Sequence, residues 1–132
     1  MAAIDAFYEK VDRLNEADEK ARVLRGLNRD YKNDDNKHAE LMDVNANWND
    51  RVMDIRTVRN YTAHVHVDDY LNLIRNEANP LEVRVVMTEA LGWFTASYKS
   101  PYIVSELKKY LNPSLPEDLR LEIEQTINRL TF

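Results

Sequence analysis

The chain has 132 residues, 44% of them hydrophobic and 31% charged, with a formal net charge of -5 and a pI near 5.2; this balance argues against disorder and fits one domain with a single core. Basic and acidic residues number 11 and 13 in 1–60, then 7 and 10 in 61–132, so neither half carries the basic field that phosphate neutralisation needs, which disfavours nucleic acid as a partner. The absence of cysteine excludes disulfides, thiolate metal sites and a Cys nucleophile.

No apolar run approaches the roughly 18–20 residues of a membrane span, and the N-terminus lacks a basic-then-apolar signal pattern. The expectation is a soluble, untargeted chain, cytoplasmic by default, or a domain of a longer protein. Only two glycines and four prolines occur, all four prolines after residue 79. So few breakers, with apolar residues at helical spacing, predict an all-α fold of about six helices.

In chain order, Ile4, Phe7, Val11 and Leu14 predict a first amphipathic helix, and Ala17, Ala21, Leu24 and Leu27 a second, ending near Gly26 to Asn28. The polar stretch "NRDYKNDDNK" then reads as a loop. Leu41, Val44, Trp48, Val52, Ile55 and Val58 form a seam that predicts one long helix from about His38 to Tyr61, with a break between Asn45 and Asn49 as the alternative. Asp68 or Asp69 is expected to cap a short helix through Tyr70, Leu71 and Ile74. Three further starts pair a cap residue with proline: Asn79-Pro80, Ser100-Pro101, and Ser114 with Pro116 and Glu117 in the S-x-x-E pattern.

The helix expected over 80–98 is apolar on nearly every side. Val83, Met87, Ala90, Leu91, Phe94 and Tyr98 share one face; Val86 and Trp93 lie on its shoulder, with Val85, Gly92 and Ala96 nearly opposite. Such a helix is expected at the centre of a layered array. Gly92, which costs about 1 kcal/mol inside a helix relative to Ala, is expected at a close helix–helix approach.

The C-terminal half echoes itself. Asn79-Pro80 recurs as Asn112-Pro113, 33 residues on, and Val83-Arg84, Met87, Ala90 and Leu91 recur as Leu119-Arg120, Ile123, Thr126 and Ile127, 36 residues on. Each unit is expected to be a helical hairpin, 68–78 with 80–98 and 101–111 with 115–130, which needs neighbours to bury its faces. In "EVRVVMTEALGWF" and, more weakly, "DLRLEIEQTINRL", the chain resembles the HEAT-repeat family, particularly its short bacterial form, also found in phycobilin lyases. The resemblance covers residues 68–132, and the second copy lacks the Ala-Leu-Gly. It implies stacked antiparallel helical hairpins, an α-solenoid fragment used mainly as a protein-binding scaffold, and it does not imply lyase activity. The resulting organisation is a single domain of 1–132: N-terminal helices over 1–66, showing no convincing repeat, and two HEAT-like hairpins over 67–132.

Among chemical candidates, "AHVHVDDY" is the sharpest. His64 and His66, with Asp68 or Asp69, would offer zinc or iron ligands if the segment were extended, since alternate residues then share a side. The favoured reading is an inter-helix loop with an Asp capping the next helix. "NDDNKH" is acidic, but counting from Asp30 puts Asp35 and Leu41 where a calcium loop of the EF-hand type needs Gly and Glu. No serine sits in a nucleophile-elbow sequence, the glutamates are scattered, and E-x-x-H spacing is absent.

Trp48 and Phe94 are expected in the core. Trp93 on its shoulder, with Arg84 and Tyr98, is the candidate partner-facing patch, because Trp, Tyr and Arg are enriched at binding hot spots; the alternative, which is favoured, is that Trp93 packs on the preceding hairpin. Arg84 and Arg120 hold equivalent positions and either form a ladder facing a partner or bond a carbonyl or an acid of the neighbouring repeat, the second being favoured. The functional expectation is a non-enzymatic protein–protein interaction or scaffold domain with a protein partner and no cofactor or metal. The alternative is an enzyme accessory domain binding a small ligand or metal near His64 and His66.

Overall fold

A computed structural model describes residues 29–131 of the chain, with side chains from residue 36 onward. The two helices expected over Ile4–Leu14 and Ala17–Leu27 lie outside the described residues. By its backbone contacts the chain from Lys37 onward forms one compact unit.

Every regular element among the described residues is helical, as the scarcity of Gly and Pro predicts. The elements are α1 (Arg29–Met42), α2 (Trp48–Val58), 3-10 turns at Arg59–Tyr61 and His64–His66, α3 (Val67–Arg75), α4 (Leu81–Leu91), α5 (Ser100–Tyr110) and α6 (Glu117–Leu130). None is long and apolar enough to cross a membrane.

The polar stretch expected as a loop is instead most of α1. No Gly or Pro interrupts it, so helix continues into a C-terminal turn anchored by the fully buried Leu41. The single long helix over His38–Tyr61 is not formed either. The chain breaks at Asp43–Asn47, where Asp43 accepts the Asn45 amide and Asn47 caps α2 by accepting the Asn49 amide, both at 2.9 Å. Two consecutive Asx turns compete with helix here. Val44 and Trp48, read as parts of one seam, are exposed as a result.

Helix α4 packs against α2, α3 and α6, so it is central as expected. Val83, Met87, Ala90 and Leu91 bury its core face against Ile55, Leu71, Ile74, Ile123 and their neighbours. The helix is shorter than 80–98. After Leu91 the amides of Trp93 and Phe94 bond three residues back, to Ala90 and Leu91, and the chain turns away. Tyr98 therefore lies off this helix, while Phe94 still reaches the core. Gly92 sits at a close approach: a Cβ there would lie 2.8 Å from Nε of Arg129 on α6.

The expected caps are spent elsewhere. Pro80 and Pro116, both with extended ψ, occupy the cap positions of α4 and α6, so these helices start later than predicted. Asn79 is buried and links α3 to α2: its Nδ2 donates to the Leu73 carbonyl at 2.9 Å, and its Oδ1 accepts from Nη2 of Arg51 at 2.8 Å. Ser100 begins α5 and donates to the Leu130 carbonyl, tying α5 to the end of α6. Ser114 bonds Asn112 rather than its own helix.

Arginine joins successive helices by one recurring bond. Arg51 and Arg84 are each the fourth residue of their helix, and each donates Nε to a carbonyl ten residues upstream, Leu41 at 2.9 Å and Ile74 at 2.8 Å. Arg120 is the fourth residue of α6, but its Nε is buried without a partner.

Candidate functional site

Helices α2, α4 and α6 share a groove of about 510 Å³. Spacings of three and four put its lining on one face of each helix: Trp48, Val52 and Arg56 from α2; Leu81, Val85 and Val86 from α4; Leu121, Glu122 and Gln125 from α6, with Glu82 and Asp118 completing it. This explains why α4 is apolar nearly all round. One face feeds the core, and Val85 and Val86, off that face, line an open groove.

Trp48 is 43% exposed and Leu121 44%. Trp48 is thus not the core residue its seam suggested: α2 begins at this position, at the edge of the groove. Three carboxylates, Glu82, Asp118 and Glu122, face one cation, Arg56, around the apolar lining. Glu122 is also paired with Arg129 at 2.6 Å.

The four residues expected to meet a partner have separate surroundings. Arg84 is only 5% exposed, with Nε on the Ile74 carbonyl and Nη2 2.6 Å from the Tyr110 hydroxyl. It faces the interior, because its planar fork satisfies acceptors that burial would otherwise leave unpaired. Arg120 is half-buried and outside the groove lining. Trp93 is 42% exposed, with the Arg59 guanidinium 4.4 Å from its ring and its Nε1 donating to Glu89 at 3.1 Å; Arg59 pairs with the same carboxylate at 2.7 Å. Tyr98 is half-buried against His64, edge to face at 4.8 Å.

A second cluster forms around the histidines. His64–His66 is a 3-10 turn, not the extended segment that would put both rings on one side. At three residues per turn, positions two apart diverge. His64 goes to Phe94 and Tyr98, whereas His66 stacks on His38 of α1, centroids 3.8 Å apart and planes 18° apart. Neither Asp68 nor Asp69 caps α3 with its side chain. Asp68 accepts the Tyr102 hydroxyl at 2.6 Å, which raises that phenol above its ordinary pKa, and Asp69 lies 3.1 Å from Nε2 of His38. Tyr70 backs both stacked rings at 5.9 Å; burial, reinforced by the charge of Asp69, pushes its phenol up to about 12. His38 is the member that sequence reasoning missed, because it lies 31 residues from Asp69.

A third polar feature is Asp54, buried on α2 beside Glu40. Desolvation first, then the hydrogen bond and charge of Glu40, raise its carboxyl from 3.8 to about 7.

The chain matches no protein-family model, and neither curated proteins nor solved structures give a match.

Proposed function

We propose that the chain is a non-enzymatic protein-interaction domain, a short stack of HEAT-like helical hairpins that takes a partner segment into the groove of α2, α4 and α6. The observation that carries the reading is the groove itself, with Trp48 and Leu121 exposed over an apolar lining. An exposed tryptophan and leucine in a concave apolar surface are the kind of anchor sites that dominate binding. The HEAT reading is supported by the arginine bonds of Arg51 and Arg84, which repeat at the same helix position and reach into the 41–58 region. It is supported too by the row of second helices that forms the groove. With Glu122 paired to Arg129, Glu82 and Asp118 against Arg56 leave the rim weakly acidic, which favours an amphipathic segment with apolar anchors and basic flanks.

The test uses the full chain in a Trp93→Phe background, so that emission reports Trp48. An amphipathic Leu/Lys helical peptide is titrated beside its Leu/Glu counterpart. Saturable binding of the Leu/Lys peptide with a blue shift, lost in Leu121→Asp at unchanged melting temperature, is expected. No binding of either peptide, or equal binding by Leu121→Asp, overturns the reading.

A further inference from the structure

Two of the three histidines in the chain come together with a carboxylate, away from the groove. His38, His66 and Asp69 each bring one ligand atom, and these atoms lie within 4.8 Å of one another. His66 and Asp69 stand three residues apart at the start of α3, so they share one side of its first turn. His38 supplies the third donor from α1. Its Nε2 is 3.1 Å from Asp69, close to the roughly 3.3 Å ligand–ligand edge of a tetrahedron with bonds of about 2.0 Å.

The His38 and His66 rings stack face to face, centroids 3.8 Å apart and planes 18° apart; because an imidazole nitrogen binds an ion in its ring plane, one ring turns about its side-chain torsions when both ligate. The Asp69 side chain is 51% exposed against 19% for His38, so an ion would reach the cluster from solvent on the carboxylate side.

We propose that His38, His66 and Asp69 form a binding site for a divalent transition-metal ion, zinc in the first place. Two imidazole nitrogens and one carboxylate oxygen suit zinc, and three protein ligands leave a fourth position for water. A bound ion ties His38 to the first turn of α3, so the folded chain gains stability from it. The site shares no residue with the groove and does not depend on its reading.

The experiment uses tag-free full-length protein, stripped with a chelator and titrated with zinc by calorimetry. Cobalt serves as a second probe, since its visible absorption reports tetrahedral nitrogen and oxygen coordination. One zinc per chain, with a raised melting temperature, is expected. His38→Ala and Asp69→Asn should each weaken binding at least about ten-fold, since even outer-shell changes cost that much. His64→Ala, whose ring packs on Tyr98, should bind as the unaltered chain does. Asp69→Asn preserves side-chain volume and decides the matter if His38→Ala fails to fold. Absence of saturable zinc binding, wild-type affinity in Asp69→Asn, or equal loss in folded His64→Ala would overturn the proposal.

Discussion

Arg51 offers the most exacting test of what holds the helices together. It has no exposed surface, and it is charged. Desolvation lowers its pKa below the ordinary arginine value, with the Asp43 charge opposing. Its Nε satisfies the Leu41 carbonyl and its Nη2 the Asn79 side chain, which in turn holds the Leu73 carbonyl. Arg51→Ala leaves two buried acceptors unpaired, at about 1–3 kcal/mol each, and removes the packed alkyl stem. Relief of the buried charge offsets part of this, so the expected net loss is about 3–5 kcal/mol. Asn79→Ala removes the same bond to Arg51 and the Leu73 contact, and should cost about 2–3 kcal/mol. Arg51→Lys keeps the charge but brings one compact head to two acceptors, and should fall between Arg51→Ala and the unaltered chain. Urea unfolding of the full chain, followed by tryptophan fluorescence and circular dichroism, measures all three and the double variant. The two sites should couple by at least about 1 kcal/mol. Additive losses, or an Arg51→Ala loss below about 1 kcal/mol, would refute the bridging role.

Two further outcomes are expected. Asp54 has a folded-state pKa of about 7 against 3.8 as the ordinary value, so the fold binds a proton that the unfolded chain releases. Its contribution is fully present below about pH 4 and is lost as pH rises towards about 7. Asp54→Asn should therefore stabilise the protein on the order of 2 kcal/mol at pH 8 and leave it unchanged at pH 4; thermal melts at both pH values check this, and a gain at pH 4 alone would contradict it. At Gly92 the backbone is in the ordinary helical region, and the nearest obstacle is the movable Arg129 side chain. Gly92→Ala should stay within about 1 kcal/mol of the unaltered chain, while Gly92→Leu, which must also displace Arg129 from Glu122 and Thr126, should cost about 1–3 kcal/mol. An unchanged melting temperature in Gly92→Leu would remove the close approach from the account.

Helical periodicity made the core face of α4 legible, because Val83, Met87, Ala90 and Leu91 obey one period whatever their distant neighbours do. Helix starts were less legible. By sequence Asn79 and Ser100 are local caps, yet their polar atoms serve Leu73, Arg51 and Leu130. A side chain able to cap can equally satisfy an orphan carbonyl elsewhere, and sequence gives no preference between the two. The histidine cluster failed for a related reason. "HVHVDD" shows His66 and Asp69, but whether His64 joins them depends on a 3-10 turn against a strand, and His38 enters only through tertiary packing.

Arginine spacing carries the same lesson towards function. Arg84 looked like a hot-spot residue because arginine is enriched at interfaces, and the same chemistry suits the interior. A planar fork that can bond a partner's carboxylate can also close a helix pair over a free carbonyl. The bond from Arg51 to Leu41 matches the one from Arg84 to Ile74, although residues 1–66 showed no echo in their apolar pattern. The likeness between the two pairs is in the bond, made from the fourth residue of α2 and of α4 to a carbonyl ten residues upstream. With Arg51 and Arg84 inside, the apolar lining of the groove between α2, α4 and α6 includes Trp48, Val85, Val86 and Leu121. Val85 and Val86 also pack against the core, whereas Trp48 and Leu121 lie outside it, 43% and 44% exposed. On the function proposed above, recognition rests on apolar anchoring at Trp48 and Leu121, with Arg51 and Arg84 holding the helices that shape the groove.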